Sequence, residues 1–154
     1  MRDEEAIVVR EVVKACRKGA QVVVALDGVS LEASATGMLA IVGPSGSGKS
    51  TLLHLIGAMD RPTHGEVIVA AQALNRLSER ELTQFRRTTV GFVFQTFNLI
   101  PNLTALQNVM LPMEFNRVPR RERRERAVQL LERVELGHRL EHKPAELSGG
   151  EIQR

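Results

Sequence analysis

At 154 residues, 43% hydrophobic and 25% charged, the chain is long enough to bury one core with a subdomain, and it is neither disordered nor fibrous. A single cysteine, Cys16, excludes an internal disulfide and a thiolate zinc cluster, and a net charge of +3 with no Trp or Tyr gives little support to nucleic-acid binding through stacked bases. No window approaches the ~18 consecutive apolar residues of a membrane span, and Met1-Arg2-Asp3-Glu4-Glu5 lacks the basic-then-apolar order of a signal peptide, so a soluble intracellular protein is expected.

Residues 7–13 and 22–33 are rich in β-branched side chains with partial alternation, and the turn-forming Arg17-Lys18-Gly19 separates them, which predicts an antiparallel β layer. Residues 38–42 form a short continuous apolar run, the pattern of a fully buried parallel strand. Directly after it, Gly43-Pro44-Ser45-Gly46-Ser47-Gly48-Lys49-Ser50 spells G-x-x-x-x-G-K-S, followed by Thr51 and a leucine-rich stretch. In such a phosphate-binding loop, glycines turn successive N–H groups inward around a phosphate. Lys49 reaches the terminal phosphates, and the Ser50 hydroxyl is placed to ligate magnesium. The helix predicted from Lys49 to about Ala58 points its positive end at the same group. Leu52, Leu53, Leu55, Ile56 and Met59 are expected to pack that helix on the sheet, before a turn at 61–65 and a strand at 66–70.

Ser78 with Glu81 three residues on is a capping-box pattern, predicting a helix from Glu79 to about Arg87, and residues 90–94 read as a second buried strand. A loop over 95–102 precedes Thr104 and Gln107, which suggest a capped helix ending at Leu111 before Pro112. Pro119 opens a longer helix with Ala127, Leu130, Leu131 and Val134 at helical spacing. On it, Arg120, Arg121, Arg123, Arg124 and Arg126, with Arg117 just before, read as a solvated face, where Glu122 and Arg126 supply i,i+4 support. His138 and His142 share helical spacing but have no third ligand in reach, so no zinc site is expected, and His54 and His64 read as structural.

A further string, Leu147-Ser148-Gly149-Gly150-Glu151, lies far downstream of the loop, and Gln95 ends the run Val90-Gly91-Phe92-Val93-Phe94 between them. Phosphate loop, glutamine and signature string in this order resemble an ABC-type ATPase. The wording of 57–63, 97–101 and 103–109 resembles the lipoprotein-release and macrolide-export subfamily of transporter ATPases. The resemblance implies an α/β P-loop fold of antiparallel β layer, partial parallel core sheet and helical subdomain. The corresponding division is 1–95 for the β layer and loop core, 96–147 for the helical subdomain and 148–154 for the start of the signature helix. It implies ATP and Mg2+ as ligands, with Gln95 at the magnesium or the attacking water. Ser148, Gly149 and Gly150 would form a lid on the γ-phosphate held by a second ATP-binding subunit in a head-to-tail dimer. Ser148 can cap a helix starting at Gly149, which gives that lid a physical basis.

The resemblance also implies transmembrane permease subunits as partners and a peripheral location on the cytoplasmic face of the membrane. Phe97, Leu99, Ile100, Leu103 and Phe115 either form the groove that receives the permease or belong to the subdomain core. The family's adenine-stacking aromatic falls at Cys16, where a thiol would forgo up to ~1–3 kcal/mol of stacking. Thr36-Gly37-Met38 replaces a more usual glycine–glutamate pair and reads as a turn variation. The motifs that the family carries after the signature have no counterpart before Arg154. The expectation is therefore the front part of an ATPase of about 220–240 residues, which alone hydrolyses ATP poorly. The alternatives are a non-hydrolysing nucleotide-binding module and the ATPase of a cell-division signalling complex; a DNA-repair ATPase fits less well, since long insertions generally separate its motifs.

Overall fold

The structure, a computed structural model, describes residues 5–19 and 21–154, which divide into two compact units at Phe92 and Val93. The first unit begins with two long strands, β1 (Glu5–Lys18) and β2 (Gln21–Ser34), paired antiparallel as their β-branched composition predicts. Strands β3 (His64–Val69) and β4 (Gln72–Ala73) extend the sheet in the order β2-β1-β3-β4. Every pair in it is antiparallel.

Midway along β1 the ladder is interrupted on both sides, between Val9 and Val12 against β2 and between Arg10 and Val13 against β3. Glu11 takes a left-handed φ of 45° there. Its N–H donates to Ser30 Oγ at 2.9 Å, and the Ser30 hydroxyl donates to Glu11 Oε1 at 2.8 Å. The bulge bends β1 so closely onto β3 that a Cβ on Gly65, itself at φ 87°, would overlap the Glu11 and Arg10 carbonyls.

Two helices cover one face of the sheet. From α1 (Lys49–Ile56), Leu52 and Leu55 are buried with Val9, Val12, Leu26, Val67 and Val69, and from α2 (Glu79–Thr88), Leu82 and Phe85 join the same cluster. Leu53 and Met59, expected to pack inward, stay exposed: eight residues of helix present only one narrow stripe to the sheet, which excludes Leu53, and Met59 lies beyond the helix end at Ile56. The capping box of α2 forms as read: Glu81 N–H donates to Ser78 Oγ, and Ser78 N–H donates to Glu81 Oε2 at 2.8 Å. Arg61 stitches this corner, donating to the Leu77 carbonyl at 2.6 Å, the Asn75 carbonyl at 3.2 Å and Glu79 Oε1 at 3.1 Å. Lys14 Nζ reaches Asp60 at 2.6 Å and the Arg61 carbonyl at 2.8 Å, and Arg86 caps the Ala58 carbonyl at 2.6 Å.

Two expected strands are not formed. Residues 38–42 and 90–94 run without regular hydrogen bonding; Met38 is 98% and Val42 87% exposed, and Val93 is fully exposed. A continuous apolar run marks a segment suited to burial between helices, but a strand also needs a neighbour to complete its ladder. Among the described residues neither run has one, and the partial parallel core sheet is absent.

The second unit is helical. Helix α3 (Ala105–Phe115) opens with the expected capping box of Thr104 and Gln107, and α4 (Arg120–Arg133) follows Pro119. Leu106, Ala127, Leu131 and Leu136 form the core between them, with Val134 against it and Leu130 facing out. Helix α3 continues past Leu111 and through Pro112, against the expected stop. Met113 packs on the core and Glu114 is held by Arg123 at 2.8 Å, so tertiary contacts outweigh the lost backbone hydrogen bond. On α4 the ion pair formed is Arg121–Glu125 at 2.9 Å, not Glu122–Arg126. Short 3-10 turns at Gly137–Arg139 and Pro144–Glu146 lead to α5 (Gly149–Gln153).

Gly65→Ala is expected to lower stability by about 3 kcal/mol, since strain at positive φ and overlap with the β1 bulge act together. Urea unfolding checks this; a loss under 1 kcal/mol would mean that β1 and β3 separate there without resistance.

Candidate nucleotide-binding site

The phosphate loop is set by one contact with the sheet. At the loop's exit Gly48 has φ 87°, and a Cβ there would stand 2.5 Å from the Ala25 carbonyl oxygen and 2.8 Å from Leu26 Cδ2 of β2. Only glycine lets the loop lie this close, and the approach fixes where α1 begins. Gly48 is the N-cap of α1 and offers no side-chain oxygen to its first-turn N–H groups. That turn carries no acidic residue either, so the positive end of the helix is left for an external acceptor.

Lys49 folds back over the loop. Its ammonium donates to the Gly43 carbonyl at 2.9 Å and the Pro44 carbonyl at 2.6 Å and lies 3.4 Å from Ser47 Oγ, while Ser47 N–H donates to the Pro44 carbonyl at 3.3 Å. The loop is thus closed by its own lysine, with residues 43–47 and Ser50 exposed and Thr51 half-buried. Cys16 is exposed on β1 and pairs with Val23 of β2, two positions before Ala25. Paired residues share a sheet face, so Cys16 and the exposed Val23 form a small apolar platform on the hairpin that supports the loop. Only the pairing register singles out Val23 from the valines beside it.

In the second unit Gln95 is exposed on irregular backbone. The loop after it is held by Asn108 of α3, which accepts the Ile100 N–H at 2.8 Å and donates to the carbonyls of Ile100, Leu103 and Thr104 at 3.2, 3.1 and 3.0 Å. With the loop pinned, Phe97, Leu99, Ile100 and Phe115 remain on the surface and outside the helical core, and only Leu103 is half-buried. An asparagine inside a helix reads locally as a weak helix former, so sequence reasoning passed over it.

Ser148 caps α5 as expected: Glu151 N–H donates to Ser148 Oγ at 3.3 Å, and Ser148 N–H donates to Glu151 Oε2 at 2.8 Å. Gly149 and Gly150 follow, both exposed. The other Glu151 oxygen accepts Arg139 Nε at 2.8 Å, and His138 Nε2 is 3.9 Å away. Hydrogen bonds from Ser148, by its backbone and side chain, and from Arg139 hold the Glu151 carboxyl at about 2. His142 Nε2 lies 3.2 Å from Arg139 Nη1 and must accept there, since arginine only donates. Among the described residues no cluster of His, Cys, Asp or Glu is placed to hold a metal, and no helix is long and apolar enough to cross a membrane.

A glycine-lined loop closed on the N-terminus of a helix, beside an antiparallel β layer, defines a P-loop nucleotide-binding fold. The chain belongs to the ABC transporter family, whose model, described as "ABC transporter", matches residues 26–154. It is 54% identical over 130 residues to an uncharacterized ABC transporter ATP-binding protein of Thermotoga maritima, covering 84% of this chain and 56% of that protein. It is 49% identical over its whole length to the lipoprotein-releasing system ATP-binding protein LolD of Pseudomonas fluorescens, covering 68% of it. The solved dimeric structure of a post-hydrolysis state of the ATP-binding cassette MJ0796, bound to ADP and Pi, superposes with a TM-score of 0.86 at 45% identity, over 96% of this chain and 65% of that one. The ABC-type fold expected from the motifs therefore holds, although residues 38–42 and 90–94 are not strands. The chain spans a little over half of the Thermotoga relative.

Glu151 is an ordinary carboxylate near 4.5 when unfolded and titrates at about 2 when folded, so its contribution is complete above about pH 4.5 and is lost as pH falls from there toward 2. Protection of the Glu151 amide, corrected for intrinsic exchange, is expected to stay level from pH 7 to 5 and to fall below 4.5; a decline beginning near pH 6 would place the control on a histidine.

Proposed function

We propose that this chain is the nucleotide-binding part of an ATP-driven transporter of the lipoprotein-release or export type, which couples ATP binding and hydrolysis to a separate membrane permease. The observation that carries the reading is the phosphate loop, wedged by Gly48 on β2 and leading into a helix end with no capping side chain. The site fits a nucleotide phosphate, since a Cβ would fill the space that the loop uses and the uncapped N–H groups need an acceptor.

In this reading the backbone of 43–51 holds the phosphates, Lys49 moves from the Gly43 and Pro44 carbonyls to the terminal phosphates, Ser50 serves magnesium, and Gln95 keeps its expected role at magnesium or the attacking water. When bound, magnesium neutralises charge on the phosphates. Ser148, Gly149 and Gly150 face the γ-phosphate of a second copy, a reading supported by the dimeric form of the MJ0796 cassette. In the same reading the apolar surface of Phe97, Leu99, Ile100 and Phe115, beside the loop pinned by Asn108, receives a permease segment at the cytoplasmic face of the membrane. Functionally, 1–95 binds nucleotide, 96–147 receives the permease, and 148–154 begins the lid.

Lys49→Ala is expected to abolish binding of a fluorescent ATP analogue; affinity equal to wild type would contradict the phosphate-loop assignment. The base is taken to rest on Cys16 and Val23. Cys16→Phe, which supplies an aromatic face, should tighten adenine-nucleotide binding by at least fivefold, within the ~1–3 kcal/mol of a stacked base. An unchanged Kd in titration calorimetry would move the base elsewhere.

A further inference from the structure

Three α-helices of the chain begin with a capping box, at Ser78 and Glu81, Thr104 and Gln107, and Ser148 and Glu151. Capping needs one side-chain oxygen at the third helical position to receive the cap N–H, and each box supplies it. The other end of that side chain differs. Gln107 is neutral, and among the described residues Glu81 makes no ion pair. Glu151, only 11% exposed, has its second oxygen bound by Arg139 at 2.8 Å. That contact is surplus to capping, and it joins the signature turn to a distant part of the unit.

The support behind Arg139 is itself anchored. His142 N–H donates to the Arg139 carbonyl at 3.0 Å and its ring lies 3.2 Å from Arg139 Nη1. The His142 and Leu140 carbonyls in turn accept the Ala105 and Leu106 N–H groups of α3 at 2.8 and 3.0 Å. Arg139 therefore projects from a segment tied to the first turn of a helix, and a planar guanidinium gripped from behind holds its carboxylate in a defined direction.

We propose that Arg139 is a positioning residue for the signature turn: by clamping the Glu151 carboxylate it sets the Ser148 backbone and hydroxyl in the orientation from which they meet the partner's nucleotide phosphate. The inference rests on the role given above to Ser148. Arg139 touches no nucleotide; it acts through Glu151, and its loss removes the ion pair that braces the first turn of α5. The cost falls on the step in which two copies close on ATP, not on binding of nucleotide to the chain's own phosphate loop.

The test uses the protein expressed from its whole reading frame with Arg139→Ala, Arg139→Lys, Glu151→Gln, Ser148→Ala and the Arg139→Ala/Ser148→Ala double variant. Fluorescent-ATP affinity, ATP-dependent dimerisation by light scattering, and kcat with KM are read for each. Expected are a nucleotide Kd within twofold of wild type for Arg139→Ala, a kcat at least tenfold lower with weakened dimerisation, partial recovery with lysine, and a double variant no worse than Ser148→Ala alone. A kcat within twofold of wild type in Arg139→Ala while Ser148→Ala is impaired, or additive losses in the double variant, would overturn the positioning role and leave the Ser148 reading intact. A normal Ser148→Ala would overturn both. If Arg139→Ala loses its helical circular dichroism, Glu151→Gln decides, because it keeps an acceptor for the Ser148 N–H but loses the ion pair: a tenfold lower kcat supports the inference and wild-type turnover defeats it.

Discussion

The contact between Gly48 and the Ala25 carbonyl governs the first unit. A loop that is to offer its backbone to a ligand must curl tightly, and a curled loop made mostly of small residues has little of its own to hold it in place. Here β2 acts as the back wall. The absence of a Cβ lets the wall approach to contact distance, and α1 can start only at that point, with its open end fixed relative to the sheet. Leu52 and Leu55 then fall on the core side by helical period, and the remainder of the helix follows.

Around that contact, stability is delivered mainly through backbone carbonyls held by cationic side chains. Arg61 and Arg86 bind carbonyls at the ends of short elements, where the chain's own ladder leaves them unpaired, and Lys14 ties β1 into the same corner. Such bonds are worth more than exposed ion pairs because they satisfy groups that would otherwise be costly to bury. The second unit reaches the same result with neutral groups, Asn108 serving four backbone atoms of one loop. In both units candidate site residues lie on loops, and the loops are held by single polar side chains reaching from a helix or a neighbouring turn.

Much of this was legible in order along the chain. The start of α1 at Lys49, the caps at Ser78, Thr104 and Ser148 and the hairpin of β1 and β2 all depend on residues within a few positions of one another, and all lie where the spacing placed them. The failures share a different cause. Residues 38–42 and 90–94 carry the composition of buried strands, but pairing is a property of two segments, and among the described residues no strand pairs with them. Pro112 has the local chemistry of a helix stop, and it was overridden by Met113 in the core and by Arg123 on Glu114. Leu53 and Met59 are apolar at plausible positions and yet exposed, since α1 buries only one stripe and ends at Ile56, before Met59.

By itself, then, the sequence determined the family and the helix starts and supplied the chemistry proposed for Lys49, Ser50 and Ser148, because each rests on side-chain type at short spacing, where backbone geometry leaves few options. Tertiary structure alone decided that Gly48 must sit against Ala25, that Cys16 shares a face with Val23, and that Arg139 reaches Glu151 across a turn. These are meetings of residues well apart in the chain, and they are selected by which packing buries the apolar stripes while leaving most buried polar groups a partner.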